Sequence, residues 1–226
     1  MTALIRMRLA AYVRAQYVLA PSLAGLGVLA VLYGGGVARA EEAYGVSALV
    51  LFPVLAWQVK ILLDAEPDGQ RRLARTATGS AGREIAAGLL AAAFTAVPTV
   101  LAAMVLPWLF GGVAATGASL GRALAVGLWA HAVSLLCALG LGAWSSRAVT
   151  RRIGPAVSIL AGGSILTVVL GLTASPAPWL APPLMAVARF GATTLDLATA
   201  GVISGWGLAW SAVTVAGYWA LRRARA

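Results

Sequence analysis

The sequence predicts an all-α membrane protein with six transmembrane helices and with both termini in the cytoplasm. Of its 226 residues, 61% are apolar and 11% are charged, whereas about a quarter of the residues in a soluble domain are charged. A spanning helix needs about 20 mostly apolar residues, because the bilayer core offers no water to backbone polar groups. Six such runs fill more than half of the chain and indicate a single membrane domain, 1–226.

The apolar runs follow one another with short polar connections. The six predicted spans cover residues 17–37, 44–63, 85–110, 123–144, 155–173 and 201–221. Before the first span, residues 1–16 mix three arginines with apolar side chains, a pattern typical of an amphipathic helix at a membrane surface. Glycine pairs such as Gly140 and Gly142 inside the spans favour close packing of helices.

Basic residues predict the orientation, because cytoplasmic loops of membrane proteins are enriched in lysine and arginine. With the N-terminus inside, the inner segments contain fourteen of the 17 basic residues: Arg6, Arg8, Arg14, Lys60, Arg71, Arg72, Arg75, Arg83, Arg147, Arg151, Arg152, Arg222, Arg223 and Arg225. The outer segments contain Arg39, Arg122 and Arg189. The net charge of +10 therefore reflects topology, and the scatter of the charges argues against a nucleic-acid partner.

The polar connection 64–84 is the most informative segment for function. Its acidic residues come first and its arginines follow, an order that suits the helix dipole. Pro67 is favoured in a first helical turn, Gly79 can end the helix, and Ser80 can cap the next one. These signals predict a short helix over 67–78 that is too polar to span. Two interpretations follow: a solvated basic connector, or a docking helix for a cytoplasmic partner.

The predicted spans contain few ionisable groups, which argues against a carrier or channel acting alone. Lys60 lies near the inner end of its span, where its amine can reach the headgroups. His131 lies within the fourth span and is expected to form hydrogen bonds between helices. The lone Cys137 is expected to be a small buried residue.

Two families of six-helix membrane enzymes resemble short parts of the chain without sharing their full patterns. The loop GASLG at 117–121 is similar to a rhomboid protease motif, but Ser119 and the sole histidine, His131, are twelve residues apart, about 18 Å along one helix. The stretch 64–75 is similar to a CDP-alcohol phosphotransferase motif, yet the later aspartate pair needed for metal is missing. The chain also lacks the phosphate-binding sequence GxxxxGK[ST], so we expect no enzyme activity and no cofactor in it.

The chain as a whole resembles the membrane subunits of ABC-2 type exporters, particularly small actinobacterial permeases. The shared features are the basic segment 1–16, six spans, the helical inner loop and a proline-broken outer segment, 175–200. The most distinctive stretch is WQVKILLDAEPD at 57–68, continued by QRRLAR at 70–75.

This resemblance implies a permease in a bacterial cell membrane, paired with a second permease, identical or related. Two cytoplasmic ATPase subunits would bind ATP and Mg. The loop 64–84 would be the coupling helix, 1–16 a connecting helix along the inner membrane surface, and 175–200 short re-entrant helices over the exit. The residues expected to contact the ATPase, by charge-assisted bonds, are Glu66, Asp68, Arg71, Arg72 and Arg75. The alternative is a non-transporting scaffold or sensor that binds a cytosolic protein through the same loop.

Overall fold

The computed structural model describes residues 1–115, 119–192 and 196–224, without the side chain of Asp68. Its helices are α1 (Thr2–Arg14), α2 (Leu19–Tyr33), α3 (Ala40–Asp64), α4 (Asp68–Thr78), α5 (Ala81–Leu109), α6 (Leu120–Trp144), α7 (Arg147–Thr150), α8 (Ile153–Leu170), α9 (Leu184–Phe190) and α10 (Leu197–Ala224). Two short strands, β1 (Ala38–Arg39) and β2 (Val113–Ala114), pair in parallel, and a 3₁₀ turn covers Pro178–Leu180. The predicted helical class is confirmed.

Five helices among the described residues are long and apolar enough to cross a membrane: α3, α5, α6 continued through α7, α8 and α10. A sixth crossing exists only if α1 and α2, which meet at 75°, count as one bent span. With 15 residues, α2 is about 22 Å long, shorter than the ~30 Å hydrocarbon core. The prediction of 17–37 was therefore too long. Gln16 adopts a left-handed φ of 58° before α2, and Gly36 a φ of 124° after it.

Helix α3 is the centre of the bundle. Its buried side chains include Leu51, Phe52 and Leu55, and it packs against α2, α5, α6 and α9. The approach of α6 is close, since the Ser134 hydroxyl donates to the Ala48 carbonyl across the two helices at 2.7 Å. Small residues on α6 allow this distance, as expected for membrane helices.

Polar contacts bring several segments to the same end of the bundle as α4. Arg8 of α1 and Arg222 of α10 both bind Glu84 at the start of α5. The backbone N–H of Arg147, the first residue of α7, donates to Asp64 Oδ1 at 2.6 Å. We call this the basic end. The segments predicted as inner therefore meet there, and the membrane side that this end faces stays a prediction.

The predicted outer segment 175–200 contains the 3₁₀ turn and α9. Three side chains of α9, Leu184, Val187 and Phe190, are buried in the core. Residues 193–195 lie outside the described part of the chain, as do 116–118, which include the first two residues of the GASLG loop, and Arg225. A re-entrant role for 175–200 stays a prediction.

Candidate functional site

Helix α4 forms where the sequence signals placed it. Pro67 precedes it in an extended conformation, with φ −61° and ψ 153°, and Gly79 ends it in the left-handed region at φ 65°. The Ser80 hydroxyl then accepts a bond from the Arg83 N–H at 3.5 Å and caps α5. A polar helix is thus held between two spans, over Asp68–Thr78 rather than the predicted 67–78.

The two faces of α4 differ in what they contact. Its outward face consists of six exposed residues: Gly69, Gln70, Arg72, Leu73, Thr76 and Ala77. Its inward face consists of buried or half-buried residues spaced three or four apart: Arg71, Ala74, Arg75 and Thr78. Leu73 is 70% exposed, although the other residues of α4 are polar or small. The helix therefore presents an apolar side chain between polar neighbours.

A buried carboxylate, Glu84, holds the basic end together. Its Oε1 accepts from Arg8 Nη2 at 2.6 Å, and its Oε2 accepts from Arg222 Nη2 at 2.9 Å. Arg75 Nε of α4 lies 3.7 Å from the same Oε2. Glu84 is 1% exposed. One carboxylate thus links α1, α4, α5 and α10.

A second carboxylate, Glu66, extends this cluster to the connection between α3 and α4. Arg8 Nε donates to Glu66 Oε2 at 3.0 Å, and Arg8 Nη1 also donates to the Glu84 carbonyl at 2.9 Å. Removing one partner of a buried ion pair is strongly destabilising, because it leaves an uncompensated buried charge. The base of α4 is therefore fastened to the bundle, so a force applied to α4 would reach the spans.

Two of the residues predicted to contact an ATPase point into the bundle. Glu66 is buried against Arg8. Arg71 is buried and donates to the Leu63 carbonyl at the end of α3. The structure thus gives both side chains contacts within the chain.

The other predicted contact residues occupy different positions. Arg75 is half-buried beside Glu84, and Arg72 is exposed on the outward face. The side chain of Asp68 lies outside the described part of the structure. Arg72 is the one of these five that is described as exposed. Contact with a partner stays a prediction for the whole set.

A cleft of about 760 Å³ opens beside α4 at the basic end. Six arginines line it: Arg71, Arg72, Arg75, Arg147, Arg151 and Arg222. Two carboxylates, Asp64 and Glu66, also line it. The positive charge on its walls makes the cleft a candidate site for an anion. We call it the arginine cleft.

The sequence did not single out Arg8 and Glu84, which link α1 to the start of α5 at the basic end. Arg8 lies between Ile5, Leu9 and Tyr12 on the apolar face of α1, and that face packs against the bundle. A charged residue in the middle of an apolar helical stripe was the available signal, because such a residue must find a buried partner. Glu84, the one acid in the sequence of α5, was the natural partner.

The two ionisable residues noted inside the spans are both hydrogen-bonded. Lys60 Nζ pairs with Asp64 Oδ2 at 2.7 Å, one turn along α3. His131 is fully buried, with Nε2 3.1 Å from the Ser47 hydroxyl and Nδ1 2.8 Å from the Gly127 carbonyl. The predicted hydrogen bond from His131 to another helix is confirmed. These contacts indicate structural roles for both residues.

Replacing Ser47 with valine is expected to lower the free energy of unfolding by about 1 kcal/mol or more, because His131 Nε2 loses its partner in an apolar interior. The double variant with His131→Leu should recover part of the loss, since both polar groups are then removed. Unfolding in mixed detergent micelles measures both values. Equal stability of Ser47→Val and the unmodified protein would contradict the assignment.

Comparisons with protein-family models, with curated proteins and with solved structures find no match. Among the described residues, no group of three or more His, Cys, Asp or Glu side chains is placed to hold a metal ion. The fold is all-α, with five or six candidate membrane spans among the described residues and a polar helix, α4, held at one end of the bundle.

Proposed function

We propose that this chain is the permease subunit of an ATP-driven ABC-2 type exporter and that α4 docks on a cytoplasmic ATPase. The observation that supports it most is the division of α4 into two faces. On the inward face, Arg71 donates to the Leu63 carbonyl and Arg75 Nε lies 3.7 Å from Glu84 Oε2. The outward face leaves Arg72 and Leu73 exposed. An amphipathic helix seated in a groove is a common mode of protein recognition.

The anchoring suits a mechanical role for α4. Movement of α4 would act through Glu84 on α1, α5 and α10 together, because all three helices are linked to that carboxylate. A flexible polar connector would need none of these buried pairs. In this complex, the partner ATPase subunits bind ATP and Mg. Two permeases, driven by two ATPase subunits, export the substrate across a bacterial cell membrane.

The charge bias supports the orientation that this proposal needs. The basic end collects α1, α4, α7 and the end of α10, and positive segments favour the cytoplasm. An ATPase in the cytoplasm would then meet the outward face of α4 directly. We expect the gene beside this one to encode an ABC ATPase.

Reversing the charge at Arg72 is expected to weaken capture of that ATPase about tenfold or more, because a charge contact at the interface becomes repulsive. Arg72→Glu changes an exposed residue, so the protein should fold as before. Co-purification from membranes that contain both proteins measures the effect. The matched control is Arg6→Glu, an exposed arginine on α1. Equal capture by the two variants would contradict docking through α4, and capture of a protein without ATPase activity would favour the scaffold alternative.

A further inference from the structure

The arginine cleft carries more positive charge than its own carboxylates neutralise. Asp64 is paired with Lys60, and Glu66 with Arg8, two cations that do not line the cleft. Asp64 also accepts the backbone N–H of Arg147. Among the described residues, six arginines and two carboxylates line the cleft, so its walls carry an excess of positive charge.

Three of these arginines have no carboxylate partner among the side chains that the structure describes. Arg75 and Arg222 are paired with Glu84. Arg72, Arg147 and Arg151 are exposed and form no such pair within that part of the chain. They project from α4, from α7 and from the turn that follows α7. Three elements thus supply arginines to one concave surface.

The chain runs from the cleft directly into an exposed apolar helix. Helix α8 begins two residues after Arg151, and its first residue, Ile153, is 81% exposed. Val157, one turn further, is also exposed, and only 11% of the apolar window of α8 is buried. A chain of this composition in a membrane exposes such a surface to acyl chains. The boundary between polar and apolar surface runs between Arg151 and Ile153.

We infer that the arginine cleft binds the phosphate group of an anionic phospholipid, with the acyl chains of that lipid lying along α8. Guanidinium groups bind phosphate oxygens through paired, charge-assisted hydrogen bonds. Basic pockets between membrane helices are suited to lipid headgroups of this charge. A soluble phosphate would use the same arginines but would leave α8 unused.

The test uses the purified full-length chain in detergent, with phosphatidylglycerol as the probe and native mass spectrometry as the readout. The double variant Arg147→Gln with Arg151→Gln should retain about tenfold less phosphatidylglycerol, because each substitution removes a charged donor to phosphate. The control, Arg6→Gln with Arg14→Gln, removes the same charge from exposed sites on α1 and should retain the lipid fully. Equal unfolding temperatures of the two variants show that both are folded.

Three results would overturn the inference. Equal lipid retention in the two double variants would mean that net charge, and not the cleft, holds the lipid. Equal retention of phosphatidylcholine and phosphatidylglycerol by the unmodified protein would remove the requirement for an anion. Displacement of the lipid by an equal concentration of inorganic phosphate would make the ligand a soluble anion. The test contains no ATPase and leaves Arg72 and Leu73 intact, so its failure would not decide the proposed docking of α4.

Discussion

Replacing Glu84 with alanine is expected to lower the free energy of unfolding by roughly 3–5 kcal/mol, because it leaves buried arginines without their counter-charge. Arg222 would keep the Tyr218 hydroxyl at 3.3 Å as its remaining described hydrogen bond. Arg8 would keep Glu66 and the Glu84 backbone carbonyl. We expect the largest loss at this site because one carboxylate serves three elements besides its own.

The measurement for Glu84→Ala is an SDS titration of the purified protein in mixed micelles, which yields the free energy of unfolding. The matched control is Glu42→Ala, because Glu42 is an exposed acid in the first turn of α3. Surface substitutions of that kind change stability by about 0.5 kcal/mol or less. A similar small change at Glu84 would mean that the buried cluster does not hold the basic end together.

Replacing Gly142 with leucine is expected to cost ~3 kcal/mol or more, because the side chain would force α6 away from α3. A Cβ atom at Gly142 would lie 2.5 Å from the Ala56 carbonyl oxygen and 2.5 Å from Val59 Cβ. The nearest obstacle is backbone, which cannot rotate out of the way. The central helix pair would have to separate or α6 would have to bend.

The matched control is Gly162→Leu on α8, where a Cβ atom would meet nothing within 4 Å. Leucine at that position should stabilise the helix by about 0.5–1 kcal/mol, since glycine is a poor helix former. Titration of both variants under one set of conditions compares them directly. Similar losses at the two positions would contradict the close contact of α3 and α6.

The sequence predicted the helices that are most apolar and the helix with the clearest caps. The spans near α3, α5, α6, α8 and α10 were each found within a few residues, because the bilayer requirement on length and composition is strong. The bounds of α4 followed from Pro67, Gly79 and Ser80, whose conformations are governed locally. Helix length and helix caps could be predicted because each depends on residues that are close together in the sequence.

Composition alone predicted a first span that is longer than α2. The run 17–37 is apolar throughout, but Gln16 bends the chain at its start and the glycines 34–36 end α2 early. Glycine is common inside membrane helices, so composition alone predicts that residues 34–36 continue the helix. Three successive glycines remove the side chains that would favour a helical conformation, and the backbone can turn there instead.

The direction of side chains at the basic end could not be predicted from spacing. Glu66 and Arg71 belong to the same polar stretch as Arg72, yet two of them point inward and one outward. Glu66 points inward because it pairs with Arg8, which is 58 residues away in the sequence, and Arg71 because it donates to the Leu63 carbonyl. A pair of residues so far apart in the sequence can be recognised only once the position of α1 against α5 is known.

Site-specific photo-crosslinking from position 73 tests docking through α4 most directly, since Leu73 is the most exposed large apolar side chain on the outward face. The full chain carrying a photoreactive residue at 73 is irradiated in membranes that contain the ATPase proposed as its partner. Position 7, where Met7 is exposed on α1, serves as the control. We predict a product of the combined mass of chain and ATPase from position 73 and none from position 7. Crosslinks from position 73 to lipid alone, or equal products from both positions, would contradict the account.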